Sequence, residues 1–302
     1  MGSPEEAALC LKALLGAGHE VKAVITQKDS RGARGGLQPT KVKQTALENG
    51  LFVSDDVNDL LSFAQEVDCG IVVAFGRIIK PEILEKIAMV NIHFSLLPRW
   101  RGAAPVERAL LAGDGKTGVS LMAVDKGLDT GGVFAMQEIE IDDEATAGEL
   151  RLRLTEIGIE LLLERLSLPA DAVVAKDSPL GVSAYFKDSV PQSGEPTYAA
   201  KITPADLKIG WPDPSTLTLR RIRVGKAWTL FRGERLIVHS AERADLPSDE
   251  SLVPGSIAQD GVVATSDGAV RLIKVQSAGR APLDFAAWVK GVHLQNGERL
   301  GE

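Results

Sequence analysis

The chain has little sulfur, no membrane-length apolar run and no excess of positive charge, and each shortage excludes something. Two cysteines in 302 residues, Cys10 and Cys69, lie far apart inside apolar segments. They support neither a disulfide framework nor a zinc site, and they fit a reducing, cytoplasmic setting. The longest apolar stretches, such as GIVVAF at 70–75, are strand-sized, whereas a membrane-spanning helix needs about 20 residues. The start lacks the basic-then-apolar layout of a secretory signal. A net charge of −7 argues against indiscriminate binding to nucleic acid. The balance is uneven, because residues 201–302 hold 14 Lys/Arg against 12 Asp/Glu, so a polyanion would be met by local patches. No G-x-G-x-x-G follows a strand-like run, and the dinucleotide fingerprint is therefore missing as well.

What is present alternates. Helical spacing of apolar residues marks 4–18, 56–67, 81–87, 105–113 and 146–166, and strand-like runs fall at 19–26, 69–76, 88–95, 117–125 and 133–141. Helices between apolar strands predict a Rossmann-like, doubly wound, mainly parallel sheet over residues 1–166, with ligands at the strand C-termini. Residues 167–203, rich in Pro, Ser and Asp, read as a linker. From 204 to 302 short strand-like runs with closely spaced turn signals predict a smaller, OB-like β-barrel. At the start, Ser3-Pro4-Glu5-Glu6 reads as a helix opening, with Ser3 as N-cap and Glu6 closing a capping box. Only two residues precede it where a doubly wound fold places a central strand, so the expectation is that this first strand is missing from the chain.

Five stretches can carry chemistry. On a strand, Asn91 and His93 share a face and offer an amide donor beside a group that titrates near neutrality; a hydrogen-bonded core pair is the plain alternative. In DKGLDTGG, 125–132, Asp129 sits among glycines where it can orient His93, or simply cap its own turn. SLLPRWRGAAP, 95–105, holds Leu96 and Leu97 in a tight loop, an apolar surface suited to something flat, and Arg99, Trp100 and Arg101 can meet an anion or a stacked base. TQKDSRGARGGLQPTKVK, 26–43, carries Lys28, Arg31, Arg34, Lys41 and Lys43 against Asp29; it reads either as a solvated loop or as one that orders on phosphates. Arg220, Arg221, Arg223 and Lys226 read either as further contacts to such a polyanion or as a solvated helix face.

NIHFSLLPRWRGAAP followed by GLDTGG resembles the signature of the folate-dependent formyltransferases: Asn-x-His, then Ser-Leu-Leu-Pro, then Asp in a Gly-rich loop, at matching spacing. With AGDGKTGVSLM after it, and with TYAAKI and the tail GSIAQDGVVATSDGAVRLIKVQSAGR, the resemblance covers nearly the whole chain. It looks most like the branch that acts on methionyl initiator tRNA. It implies 10-formyltetrahydrofolate as co-substrate, with no metal, and the α-amine of methionyl initiator tRNA as acceptor. Asn91, His93 and Asp129 are then catalytic. Ser95, Leu96, Leu97 and Pro98 form a wall of the folate pocket. Arg31, Arg34, Lys41 and Lys43 meet the tRNA, with Arg34 at the position of the family's key arginine. The enzyme is expected to be monomeric and to need no membrane. A formyltransferase for another amine, such as a glycinamide ribonucleotide or an amino sugar nucleotide, and a non-catalytic RNA-binding relative are the alternatives. Three departures stand out: Phe94 is larger than the family's usual residue, Gly132 replaces a commonly acidic or larger one, and 220–231 lacks the proline-aromatic pattern often seen there.

Overall fold

The computed structural model describes residues 1–31, 36–167, 189–246 and 253–302. Its chain forms two compact units, one of Met1–Val106, Lys116–Glu140 and Leu150–Ala200, the other of Glu107–Gly115, Ile141–Glu149 and Lys201–Glu302.

In the first unit, α1 (Glu5–Gly16) buries Ala7, Ala8, Cys10, Leu11 and Leu14, the apolar stripe of an amphipathic helix. Its opening differs from the expected capping box. The N-cap is Pro4, without a side-chain hydrogen bond, and Ser3 Oγ accepts instead from the Gln27 N–H at 3.1 Å and the Thr26 hydroxyl at 3.2 Å. The end of β1 (Val24–Ile25) is thereby satisfied by a side chain where the strand stops. The described residues of 26–43 hold regular structure. β2 (Ser30–Arg31) pairs antiparallel with β3 (Leu37–Gln38), and α2 (Lys41–Glu48) opens at Thr40, whose Oγ1 accepts from the Lys43 N–H. β4 (Val53–Ser54) pairs parallel with β1.

Residues Val57–Phe63 wind as a 3-10 helix where the spacing suggests an α-helix. Local polar side chains compete with the α-helical pattern: Asp56 Oδ1 accepts from the Asn58 N–H, and the Ser62 hydroxyl donates to the Asp59 carbonyl. Then follow β5 (Gly70–Val73), α3 (Pro81–Leu84), β6 (Met89–His93), β7 (Arg101–Gly102), α4 (Pro105–Ala112), β8 (Lys116–Ala123), β9 (Val133–Glu140) and α5 (Ala147–Leu166), of which α4 from Glu107 on and the first turn of α5 belong to the second unit. The main sheet runs β5-β6-β8-β9, with β5 and β6 parallel and β8 and β9 added antiparallel. β6 is therefore interior, bonded on both edges.

At the place expected for a central strand, Met1 and Gly2 supply backbone. The Gly2 N–H donates to Ile25 O at 3.0 Å and the Val73 N–H to Met1 O at 2.9 Å. Beside them lies a cavity of about 280 Å³ lined by Leu11, Leu14, Val24, Ile71, Ile87 and Met89. Cys10 and Cys69 also line it, and burial pushes their thiols up to about 11 and about 12, so neither is a thiolate at neutral pH.

Part of the expected linker is built into this unit. β10 (Tyr198–Ala199) pairs parallel with β7, and Val190 bridges Val133. The loop ahead of α4 leaves amides that need partners, and this segment provides them: the Arg101 N–H donates to Thr197 O and the Ala103 N–H to Ala199 O, both at 2.9 Å. Residues 168–188 of the linker lie outside the described residues.

The second unit holds α6 (Ser215–Val224), β11 (Ala227–Phe231), β12 (Glu234–Ala244), β13 (Val262–Ala264), β14 (Ala269–Ser277), β15 (Leu283–Asp284) and α7 (Phe285–Val292). Its sheet is antiparallel in the order β11-β12-β14-β13, with β15 on β14. β11 and β12 join through Arg232 and Gly233, both at positive φ, 52° and 76°, the two-residue turn that matches strand twist. Trp211, Leu236, Val238, Val263, Leu272 and Val275 fill the core. The buried Trp211 satisfies its Nε1–H on Thr229 Oγ1 at 2.9 Å.

One glycine couples the main sheet to the loop after β6. A Cβ on Gly118 of β8 would stand 2.1 Å from Gln137 O and 2.4 Å from Leu96 Cδ2. Gly118→Ala is expected to cost about 1–3 kcal/mol, the usual range for overpacking, read as a lower urea midpoint. An unchanged midpoint would show that β9 and Leu96 move aside freely.

Candidate active site

Asn91 and His93 end β6, at the C-terminal edge of the parallel pair β5–β6. Alternation puts their side chains on one face. His93 is 5% exposed, and its Nε2 lies 2.9 Å from Trp100 O. A carbonyl only accepts, so Nε2 carries the proton. Nδ1 faces Asp129 Oδ2 at 3.7 Å, and the same oxygen accepts from the Gly102 N–H at 2.8 Å. Burial pushes His93 below its ordinary value; the Asp129 carboxylate and the Trp100 carbonyl pull the other way without offsetting it. The imidazole is thus neutral near pH 7, protonated at Nε2, with Nδ1 as its one basic atom. Asn91 is half-buried, and its amide makes no hydrogen bond among the described residues.

The loop 94–102 wraps these groups. Ser120 pins it to β8, accepting from the Leu97 N–H at 3.1 Å and donating to Ser95 O at 2.7 Å. The Ser95 hydroxyl donates to Arg99 O and is committed to the loop, while Leu97 is buried and Leu96 and Pro98 are half-buried. Leu96 and Pro98 are thus the members of the expected pocket wall with most surface to offer. The peptide between Leu97 and Pro98 is cis. Arg99 stacks on the Trp100 ring at 4.6 Å. Phe94 is buried, so its bulk is a matter of packing. Gly132 has a structural reason, since a Cβ there would stand 2.6 Å from Ser189 Oγ.

Two residues of this site are missed by sequence reasoning. Ser120 had a signal, a hydroxyl inside the apolar run of β8. Gln192 had none. Its carboxamide reaches the Asp129 loop on one side and Arg101 on the other.

Residues 1–166 match the profile of the family described as formyl transferase, and residues 201–293 match its C-terminal domain. The chain belongs to the formyl transferase family. This formyl transferase is 38% identical to the methionyl-tRNA formyltransferase of Symbiobacterium thermophilum, over 99% of this chain and 94% of that one. Its fold is similar to the N-formyltransferase from Helicobacter canadensis, with TM-score 0.64 and 18% identity over 91% of this chain and 97% of that one. It is also similar to HypX from Aquifex aeolicus, with TM-score 0.56 and 19% identity over 80% of this chain. The formyl transferase spans 43% of the HypX chain, less than half its length.

The basic residues of this formyl transferase fall into different settings. Arg31 and Lys41 are exposed. Lys43 sits in the first turn of α2, where a cation opposes the helix dipole, and it is paired with Asp29 at 2.8 Å. Arg34 lies outside the described residues. In the second unit, Arg221 pairs with Asp213, and the Arg220 guanidinium fills the space a Cβ on Gly113 would need. Arg220 and Arg221 are therefore packed or paired inside the unit and are not bare charges on a solvated face. Among the described residues no three of His, Cys, Asp and Glu come together as a metal group, and no helix is long and apolar enough to cross a membrane.

The state of His93 predicts a pH dependence. Its folded value lies below that of the unfolded chain. Its stabilising contribution is full above an unfolded value near 6.5 and is lost as pH falls through the lower folded value. Between about pH 7.5 and about pH 5.5, the wild-type urea midpoint is expected to fall further than that of His93→Gln. Equal falls would show that His93 does not titrate in that window.

Proposed function

We propose that this formyl transferase moves the formyl group of 10-formyltetrahydrofolate onto the α-amine of methionyl initiator tRNA, in the cytoplasm and as a monomer. The observation that carries the chemistry is an Asn91 amide unengaged among the described residues, beside a neutral His93 with Nε2 held by the Trp100 carbonyl and Nδ1 unprotonated, facing Asp129. The acceptor follows from the near full-length relatives named methionyl-tRNA formyltransferase.

In this reading Asn91 Nδ2 donates to the formyl oxygen as negative charge grows there. His93 Nδ1 takes the proton that the attacking amine must lose and passes it to the departing folate nitrogen. Asp129 stabilises the imidazolium formed on the way, and the Gly102 N–H fixes the carboxylate. Leu96 and Pro98 give the folate an apolar surface, while Ser95 and Leu97 hold the loop's shape. No residue need ionise a water, because the nucleophile in this reading is the acceptor's own amine. Residues 1–166 carry the reaction, 167–203 connect, and 204–302 belong to the tRNA side. Arg31, Lys41 and Arg34 meet phosphates, and Lys43 joins them once it leaves Asp29.

Transfer of labelled formyl from 10-formyltetrahydrofolate to methionyl initiator tRNA tests the reading. Wild type should transfer and His93→Ala should not. Asn91→Ala should lose roughly 10²–10³ in kcat, as when one oxyanion donor is removed, with folate affinity little changed. No transfer by folded wild-type protein would redirect the search to another amine acceptor. Near-normal turnover by Asn91→Ala would remove that residue from the mechanism.

A further inference from the structure

We infer that Gln192 is a positioning residue, a carboxamide clamp that holds the Asp129 loop against the loop after β6 and so keeps Asp129 facing His93. The inference rests on the proposed roles of His93 and Asp129.

Gln192 lies in the segment expected to be only a linker. Its Nε2 donates to Asp129 O and to Gly131 O, both at 2.8 Å. Its Oε1 accepts from Arg101 Nε at 3.0 Å and Nη2 at 2.6 Å. Both N–H groups and both lone-pair directions of the carboxamide are thus used. The assignment of O and N is forced by the partners, since the carbonyls need donors and the guanidinium needs an acceptor. Glutamate would set a carboxylate oxygen against two carbonyl oxygens, and no shorter side chain spans the same gap.

The clamp acts on a loop with little freedom elsewhere. Asp129 has φ of 50°, the left-handed region that L-residues occupy at a cost. A Cβ on Gly131 would stand 1.9 Å from Ala123 O, so the glycine lets the loop seat tightly on β8. On either side of Gln192 the segment is anchored, by Val190 paired with Val133 and by the Trp100 N–H donating to Thr197 Oγ1 at 2.9 Å. Gln192 therefore joins two stretches whose sequence separation is large, 129–131 and 101, at the point where one carboxylate oxygen must reach both the Gly102 N–H and His93 Nδ1. Among the described residues, Asp129 is the one charged group that acts on His93. A loop released from the clamp lets that carboxylate withdraw, and the imidazolium loses its counter-charge.

The test uses the full-length chain and reads the histidine directly. With four histidines in the sequence, the imidazole resonances of His93 can be assigned by comparison with His93→Gln and titrated by NMR. In Gln192→Leu, His93 is expected to titrate about half a unit or more below wild type, in the same direction as in Asp129→Asn. kcat should fall about 10–100-fold, the order of loss when a reacting group is misplaced by about 1 Å, with KM for both substrates within about threefold. In the Asp129→Asn background, Gln192→Leu should add little further loss, because the clamp then has no charge to position. An unmoved His93 titration overturns the inference, and so does a loss of kcat that simply adds to that of Asp129→Asn. Gln192→Met, unbranched and of similar length, repeats the measurement if the leucine variant does not fold. The titration needs no turnover, so failure of the proposed transfer reaction is seen separately in the wild-type assay.

Discussion

One oxygen atom sets the terms for the first unit: Asp129 Oδ2, 2.8 Å from the Gly102 amide and 3.7 Å from His93 Nδ1. The histidine comes from an interior strand, the amide from the loop after it, and the carboxylate from the Gly-rich loop between β8 and β9. The carboxylate lies 36 residues from the histidine and 27 from the amide in the chain, so each surrounding device serves their convergence. Ser120 ties the loop after β6 to β8, Gly118 gives Leu96 room, and the segment around β10 supplies hydrogen bonds to amides that would otherwise lack them. A misplacement of about 1 Å is enough to cost two orders of magnitude in rate at such sites, so this much scaffolding for a few atoms is physically reasonable.

The shared face of Asn91 and His93 was legible in the sequence because strand alternation is local. Asn91 and His93 two apart on an apolar run can only share a side, and the glycines around Asp129 announce a close approach. The parts that were not legible depend on partners distant in the chain. Ser3 reads as a cap until the end of β1 is seen to need it. Lys41 and Lys43 read as loop residues until Thr40 is seen to open a helix. Residues 189–200 read as linker because Pro, Ser and Gly in a polar stretch signal only the absence of regular structure, while their bonds to 97–104 and to the Asp129 loop are invisible without a fold. The division of 57–63 toward a 3-10 helix was hidden for another reason. Apolar periodicity records which residues face inward, but Asp56, Asp59 and Ser62 decide how the backbone winds.

Charge is distributed with similar economy. A chain of net charge −7 that meets a polyanion must keep some cations unspent while using others internally. Arg221 and Lys43 are engaged with Asp213 and Asp29, and Arg101 with Gln192, whereas Arg31 and Lys41 point to solvent. The Lys43–Asp29 pair in particular offsets the poor placement of a cation at the start of α2, and a phosphate taking the place of Asp29 would do the same.

The Trp100 carbonyl has a consequence for proton traffic. A histidine that hands protons from one side of its ring to the other works as a through-passage, taking a proton at one nitrogen and releasing it at the other. With Nε2 held on Trp100 O at 2.9 Å, His93 has a single port. Whatever proton it accepts at Nδ1 must leave by the same atom, so under the proposed reaction the nitrogen that loses a proton and the nitrogen that gains one must visit one point in space in succession. The loop geometry thereby imposes an order of events as well as a shape.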